Sequence, residues 1–304
     1  MTGAVSGTQP VLALPSAGNL VVQVGLGGGS TPAKITTQAD GSTTDADLAV
    51  DAASGQVVAG WPSVAHQPTL YLQGVSPVGA PQKVPGQSRN AVVLAGRDAG
   101  PGVFAAYTSD GKHVRLLRYG GGSVAVGSRA GTTAKVLAAA TGPAGRIWVM
   151  WGDDSGGGVA VTRSNKAVTR FETIQQITLS PLSLYRLEGD GRLGPLDLLA
   201  DVIPGKGPTV SGLYYARVLP VFTTTVAVHA VKNGKGLIVG HVLTVSVTDA
   251  GDPVPGAKVS ARGKQATTGK NGSAALTFGV STVGALKLTV TAPGYAPGYQ
   301  IVHI

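Results

Sequence analysis

The 304-residue sequence holds no cysteine, which excludes a disulfide framework, a zinc–thiolate centre and a thiol nucleophile. Aromatics are scarce, at 5%, so any core is built from smaller pieces. Acids are outnumbered: 15 Asp and Glu face 24 Lys and Arg, for a net charge of +9. No run approaches the roughly 20 apolar residues of a spanning helix. No Lys or Arg precedes Lys34, so a secretory leader with a basic start is not visible. There is no GxSxG elbow, HExxH helix or phosphate loop. The five histidines, His66, His113, His229, His241 and His303, are scattered. Only His229 and His241 come near each other, across a hairpin turn at 232–236, and two ligands do not make a metal centre. Neither a cofactor nor a metal is expected.

What is present is small and β-forming. The chain is 43% hydrophobic, mostly Ala and Val, and carries 46 glycines, about twice the usual share. Tight sheets with many turns follow from that mixture. A strand–turn–strand phrase recurs. Its copies are Val11-Leu-Ala-Leu-Pro-Ser-Ala-Gly-Asn-Leu-Val-Val-Gln-Val24, Leu48–Trp61, Ala91–Tyr107 and Val136–Trp151, with a fainter fifth at Leu182–Val202. Trp61, Tyr107 and Trp151 end three of them, 46 and 44 residues apart. Further strands are expected at Thr69–Gln73, His113–Tyr119 and Gly158–Arg163. One four-stranded sheet per period in the forties resembles a β-propeller, here of about five blades across residues 1–220. Leu213–Val218 is expected to close the ring by completing the first blade. The competing reading is an irregular sandwich or barrel with evenly spaced turns.

The texture changes after Pro220. Thr223–Val231 alternates as a long strand, Lys232-Asn-Gly-Lys-Gly236 signals a hairpin, and His241–Asp249 places Leu243, Val245 and Val247 on one face. The phrases Val-Thr-Asp-x-Gly-x-Pro-Val-x-Gly-Ala-x-Val at 247–259, Thr-Thr-x-x-Asn-Gly-x-Ala-x-Leu at 267–276 and Val-Thr-Ala-Pro-Gly-Tyr at 290–295 follow. They resemble the bacterial Ig-like and carboxypeptidase-regulatory-like β-sandwich modules. Pro253 and Gly256 then shape the turn that brings Val254 and Val259 inward, Asn271-Gly272 makes a tight hairpin, and Tyr295 covers one end. Residues 221–304 are expected to form such an accessory module, a spacer or sticky domain rather than a catalyst.

Several motifs invite function. Gly189-Asp-Gly-Arg-Leu-Gly194 fits GxGxxG, but without a βαβ unit it reads as a hairpin turn. Asp40–Asp47 clusters oxygen donors without EF-hand spacing and reads as a polar loop. Ser109-Asp-Gly-Lys112 and Asp153-Asp-Ser-Gly156 resemble the turn of the Asp-box repeats of sialidase-type propellers, where that turn is structural. The full pattern is not met.

Charge is uneven: residues 81–175 carry twelve bases against five acids. That middle could attract an anionic partner, and its tryptophans could stack on sugar rings. Arg115, Arg118, Trp148 and Arg163 are therefore the candidate ligand-binding residues. Arg115 and Arg118 should point to opposite faces of one strand, as should Trp148 and Trp151.

The expectation is an all-β, two-part extracellular or cell-surface protein, non-enzymatic, recognising an anionic glycan, a wall polymer or a protein partner. Nucleic acid and a membrane span are not expected. Two rivals share the fold. One is a propeller hydrolase or lyase acting on acidic sugars, for which Tyr214, Tyr215, Glu172 and Glu188 supply candidate groups. The other is a structural subunit of a surface layer or filament, assembling through exposed β edges.

Overall fold

The structure is a computed structural model. It describes residues 2–6, 9–16, 19–24, 33–35, 46–63, 69–76, 78–85, 93–108, 110–128, 134–152, 158–179, 182–204 and 212–304. Among these the regular elements are β-strands, with a single 3-10 turn at Pro143–Gly145. The chain divides into two compact units, residues 1–169 with 174–218, and residues 170–173 with 219–304.

The first unit is a series of antiparallel sheets, each made of strands consecutive in the chain. The first holds β1 (Thr2–Ser6), β2 (Gln9–Ser16), β3 (Asn19–Val24) and β4 (Ala33–Ile35). The second holds β5 (Asp47–Val50), β6 (Val57–Ser63), β7 (Thr69–Ser76) and β8 (Gln82–Lys83). The third holds β9 (Val93–Gly96), β10 (Val103–Thr108), β11 (His113–Arg118) and β12 (Ser123–Ser128). The fourth holds β13 (Val136–Thr141), β14 (Ile147–Gly152), β15 (Val159–Arg163) and β16 (Gln175–Ile177). The fifth has three strands, β17 (Leu182–Asp190), β18 (Leu196–Pro204) and β19 (Gly212–Val218).

First strands begin at Thr2, Asp47, Val93, Val136 and Leu182, which are 45, 46, 43 and 46 residues apart. Each first strand neighbours the next: β1 lies by β5, β5 by β9, β9 by β13 and β13 by β17.

Packing explains the composition. All six residues of β10, and all six of β14, are buried. A strand covered on both faces loses the apolar–polar alternation of a half-exposed sheet. Close stacking of this kind favours Ala, Val and Gly over bulkier side chains. Trp61, Tyr107 and Trp151 are each the fifth residue of the second strand of their sheet, and each is at most 2% exposed. Trp148 and Trp151 point to opposite faces, yet both are buried, because both faces of β14 are covered.

Two expectations are corrected. The phrase Val11–Val24 spans β2 and β3, the second and third strands of its sheet, whereas the other copies span first and second strands. The copy was one strand out of phase, since short Ala/Val hairpins look alike from either strand. Leu213–Val218 does not pair with the first sheet: β19 lies antiparallel beside β18, from Val218 opposite Leu196 to Gly212 opposite Val202.

The second unit has two four-stranded sheets. One joins β20 (Thr223–Lys232), β21 (Ile238–Asp249), β22 (Asp252–Pro253) and β25 (Ser273–Gly279), with β20 on one side of β21 and β22 and β25 both pairing with it. The other runs β24 (Lys264–Thr267), β23 (Lys258–Ala261), β26 (Ala285–Thr291) and β27 (Gly298–His303). Both contribute to one apolar cluster, including Leu243, Val245, Val247 and Phe278 from the first and Val259, Leu286, Leu288 and Val290 from the second.

Val254 and Val259 are buried, and Gly256 takes a φ of +78° in the turn between them. Asn271-Gly272 is a tight turn, with Asn271 Oδ1 accepting from Ser273 N–H at 3.1 Å. It is not a hairpin, because it carries the chain from β24 in one sheet to β25 in the other. The Tyr295 hydroxyl donates to Asp249 Oδ2 at 2.8 Å, and its ring lies 5.9 Å from that of Phe222.

Candidate functional site

The first strands of the second to fifth sheets, β5, β9, β13 and β17, all contribute residues to one place. A cleft of about 720 Å³ opens there in the first unit. Apolar side chains line it from Ala49 and Val50 of β5, Leu94 and Ala95 of β9, and Ala139 and Ala140 of β13, but more of its exposed lining is polar than apolar. Its rim is polar and of both signs, with Arg97, Asp98, Thr141, Asp190 and Arg192.

The rim is held by side chains that reach from one sheet to the next. Leu94 N–H donates to Asp47 Oδ2 at 2.7 Å, and Gly102 N–H donates to Asp51 Oδ2 at 2.9 Å, so two carboxylates of the second sheet grip the third. One period later Asp98 repeats the device. It accepts from Gly145 N–H at 2.5 Å and Ala144 N–H at 3.1 Å in the β13–β14 turn. The Thr141 hydroxyl returns a bond to Gly96 C=O at 2.7 Å.

Arg97 spends its fork on backbone carbonyls, donating to Gly145 at 2.8 Å, Pro101 at 3.1 Å and Lys166 at 2.5 Å. Burial and then the neighbouring Arg118 push its guanidinium below the usual arginine range, against the pull of Asp51 and Asp98. Gly145 is required at its position: its φ is +78°, and a Cβ there would lie 2.2 Å from Ala99 O.

The sequence-derived candidates fall elsewhere. Trp148 and Arg163 are brought together, opposite each other on β14 and β15, with the guanidinium carbon 5.1 Å from the ring centroid. Trp148 is 0% exposed and Arg163 2%, so this cation–π pair lies in the interior. Arg115 and Arg118 lie on β11. Arg115 is half-buried and donates to Ser123 Oγ at 3.1 Å, while Arg118 is exposed. None of the four lines the cleft.

Sequence reading passed over Asp51 and Asp98. A signal was present, since Asp51 and Asp98 stand 47 residues apart, each just after a first strand.

The other motifs resolve as turns. Residues 189–194 span the end of β17 and its turn to β18, closed by Gly194 N–H donating to Gly191 C=O at 3.0 Å. Asp110 accepts from Lys112 and His113 N–H at 2.9 and 2.8 Å, and pairs with the His113 ring. These bonds hold its carboxyl well below the usual carboxylate range. Asp40–Asp45, Asp153–Gly156 and His66 lie outside the described residues. His229 faces Val242 and His241 faces Ala230, so the two histidines point to opposite faces of the ribbon. No group of three or more metal-ligating side chains occurs among the described residues.

No family model matches the chain, and no curated protein matches it. Among solved structures it is similar to YjhT, at 10% identity over 98% of this chain and 96% of that one, with a TM-score of 0.45. TolB from Acinetobacter baumannii aligns at 11% identity over 97% of this chain and 67% of that one, TM-score 0.40. A neuraminidase-like protein of an A/flat-faced bat/Peru isolate aligns at 7% identity over 85% and 86%, TM-score 0.40.

Proposed function

We propose that this is a non-enzymatic extracellular binding protein. Its first unit is read as a five-bladed β-propeller that presents the cleft, and its second as an Ig-like accessory sandwich. The observation that carries the reading is the cleft itself, framed by one strand from each of several successive sheets and held open by the Asp51, Asp98 and Arg97 ties. Charged groups bound into backbone hydrogen bonds shape a rim; they are not poised to move protons.

Among the three ligand classes expected from sequence, a protein segment suits the cleft best. The lining mixes apolar side chains with a larger share of polar surface, the rim balances Arg97 and Arg192 against Asp98 and Asp190, and there is no aromatic platform among the described lining residues on which a sugar ring would stack. Peptides selected on the immobilised protein should therefore lose binding when Ala139→Phe fills the cleft. Selected peptides that bind the variant as well as the parent, or a sugar array that gives a ligand where peptides give none, would overturn the reading.

A further inference from the structure

We propose that the outward face of the β24-β23-β26-β27 sheet docks an acidic polysaccharide, with Lys258, Arg262 and Lys287 meeting its carboxylates and Tyr299 carrying one of its sugar rings. None of these residues lines the cleft.

Charge is one-sided in this part of the chain: residues 253–304 carry five Lys and Arg and no Asp or Glu. Strand alternation sorts the side chains. Val259, Leu286, Leu288, Val290 and Val302 belong to the apolar cluster. Lys258, Lys287 and Tyr299 therefore project from the other face, and all three are exposed. Arg262 follows the end of β23 and is exposed as well. Cations elsewhere are spent inside the protein, Arg97 on backbone carbonyls and Arg186 on Glu188 at 2.7 Å. Among the described residues, the side chains of Lys258 and Arg262 have neither a carboxylate nor a hydrogen-bond partner. Positive charge gathered on one face without acids attracts an anion.

The rest of the face selects the kind of anion. Lys258 stands opposite Thr291, four residues along β26 from Lys287. The two lysines are thus anchored about 13 Å apart along the strand direction, so one extended polymer meets both where a small anion meets one. Arginine, with its planar fork, is the residue suited to phosphate and nucleic acid, yet two of these three cations are lysines. Ile301 is the only large aliphatic side chain on outward strand positions among the described residues, too little apolar surface for a bilayer. Gln265, Ser260 and Thr289 form a neutral, hydrogen-bonding row across the strands that ends on Tyr299. Sugar hydroxyls suit such a row. The Tyr299 ring is 63% exposed and offers an apolar face with a polar tip. The Lys287 ammonium lies 4.9 Å from that ring's centroid, close enough to meet the carboxylate of a uronic acid stacked there.

Binding of the full chain to immobilised polygalacturonate and hyaluronate, with neutral dextran beside them, tests this. The parent should bind an acidic polymer and not dextran, and more weakly as salt rises. Lys258→Gln with Lys287→Gln should weaken binding about tenfold, the loss of two exposed ion contacts, and Tyr299→Ala should weaken it further. Lys232→Gln with Lys235→Gln removes the same charge from the β20–β21 hairpin of the other sheet and should keep the parent's affinity. All five residues are exposed, so circular dichroism should not change. Ala139→Phe should also leave polymer binding intact, which separates this surface from the cleft. A parent that binds neither acidic polymer, an equal loss in the two lysine pairs, loss in Ala139→Phe, or tighter binding to a DNA duplex than to either polymer would each overturn the proposal.

Discussion

Gly191 shows how little room this architecture leaves a side chain. A Cβ placed on it would lie 2.2 Å from Trp148 Cδ1 and 2.5 Å from Nε1. Trp148 cannot retreat, for it is fully buried and stacked under Arg163. Glycine serves here as empty volume for an indole, not as a nucleotide cradle, which is how a GxGxxG pattern arises in a hairpin. Gly191→Ala should destabilise the protein by about 1–3 kcal/mol through overpacking, read as a lower denaturation midpoint with an unchanged slope. The same packing accounts for the fate of the candidate residues Trp148 and Arg163. Their types matched ligand chemistry, but sequence does not reveal that both faces of β14 are covered, and it is this covering that puts the pair out of a ligand's reach.

At the scale of elements, the sheets are tied by carboxylates that answer backbone N–H groups in the next sheet's turn. Asp98 serves two such groups, those of Ala144 and Gly145. Asp98→Ala should cost about 1–2 kcal/mol, since it removes hydrogen bonds to a charged acceptor. Hydrogen exchange should show the β13–β14 turn opening sooner while β18 and β26 keep their protection. Equal loss everywhere would mean that Asp98 does not act between neighbours.

The second strands were legible in sequence, because Trp61, Tyr107 and Trp151 are bulky marks on a small-residue background and recur at one strand position. The phase of the first copy was not, since Val11–Val24 bears no such mark. Asn271-Gly272 was legible as a turn but not as a crossing between sheets. Turn chemistry depends on two or three residues, whereas which sheet the chain joins next is decided by distant partners. The cleft was hidden for the same reason: its walls are ordinary Ala, Val and Leu, and only the convergence of β5, β9, β13 and β17 gives them a shared space.

For the whole molecule, the claim that matters most is that successive sheets of the first unit turn around the cleft and do not extend in a line. A chain without native cysteine permits this to be measured with spin-label pairs at Ala52, Ala99 and Arg192, in the turns that follow the first strands of the second, third and fifth sheets. Ala52 and Arg192 line the cleft, and Ala99 adjoins the lining residue Asp98. Sheets arranged around the cleft predict that the 52–192 and 99–192 distances are similar and that the 52–99 distance is the shortest. A 52–192 distance equal to the sum of the other two would mean a linear stack and would contradict the account.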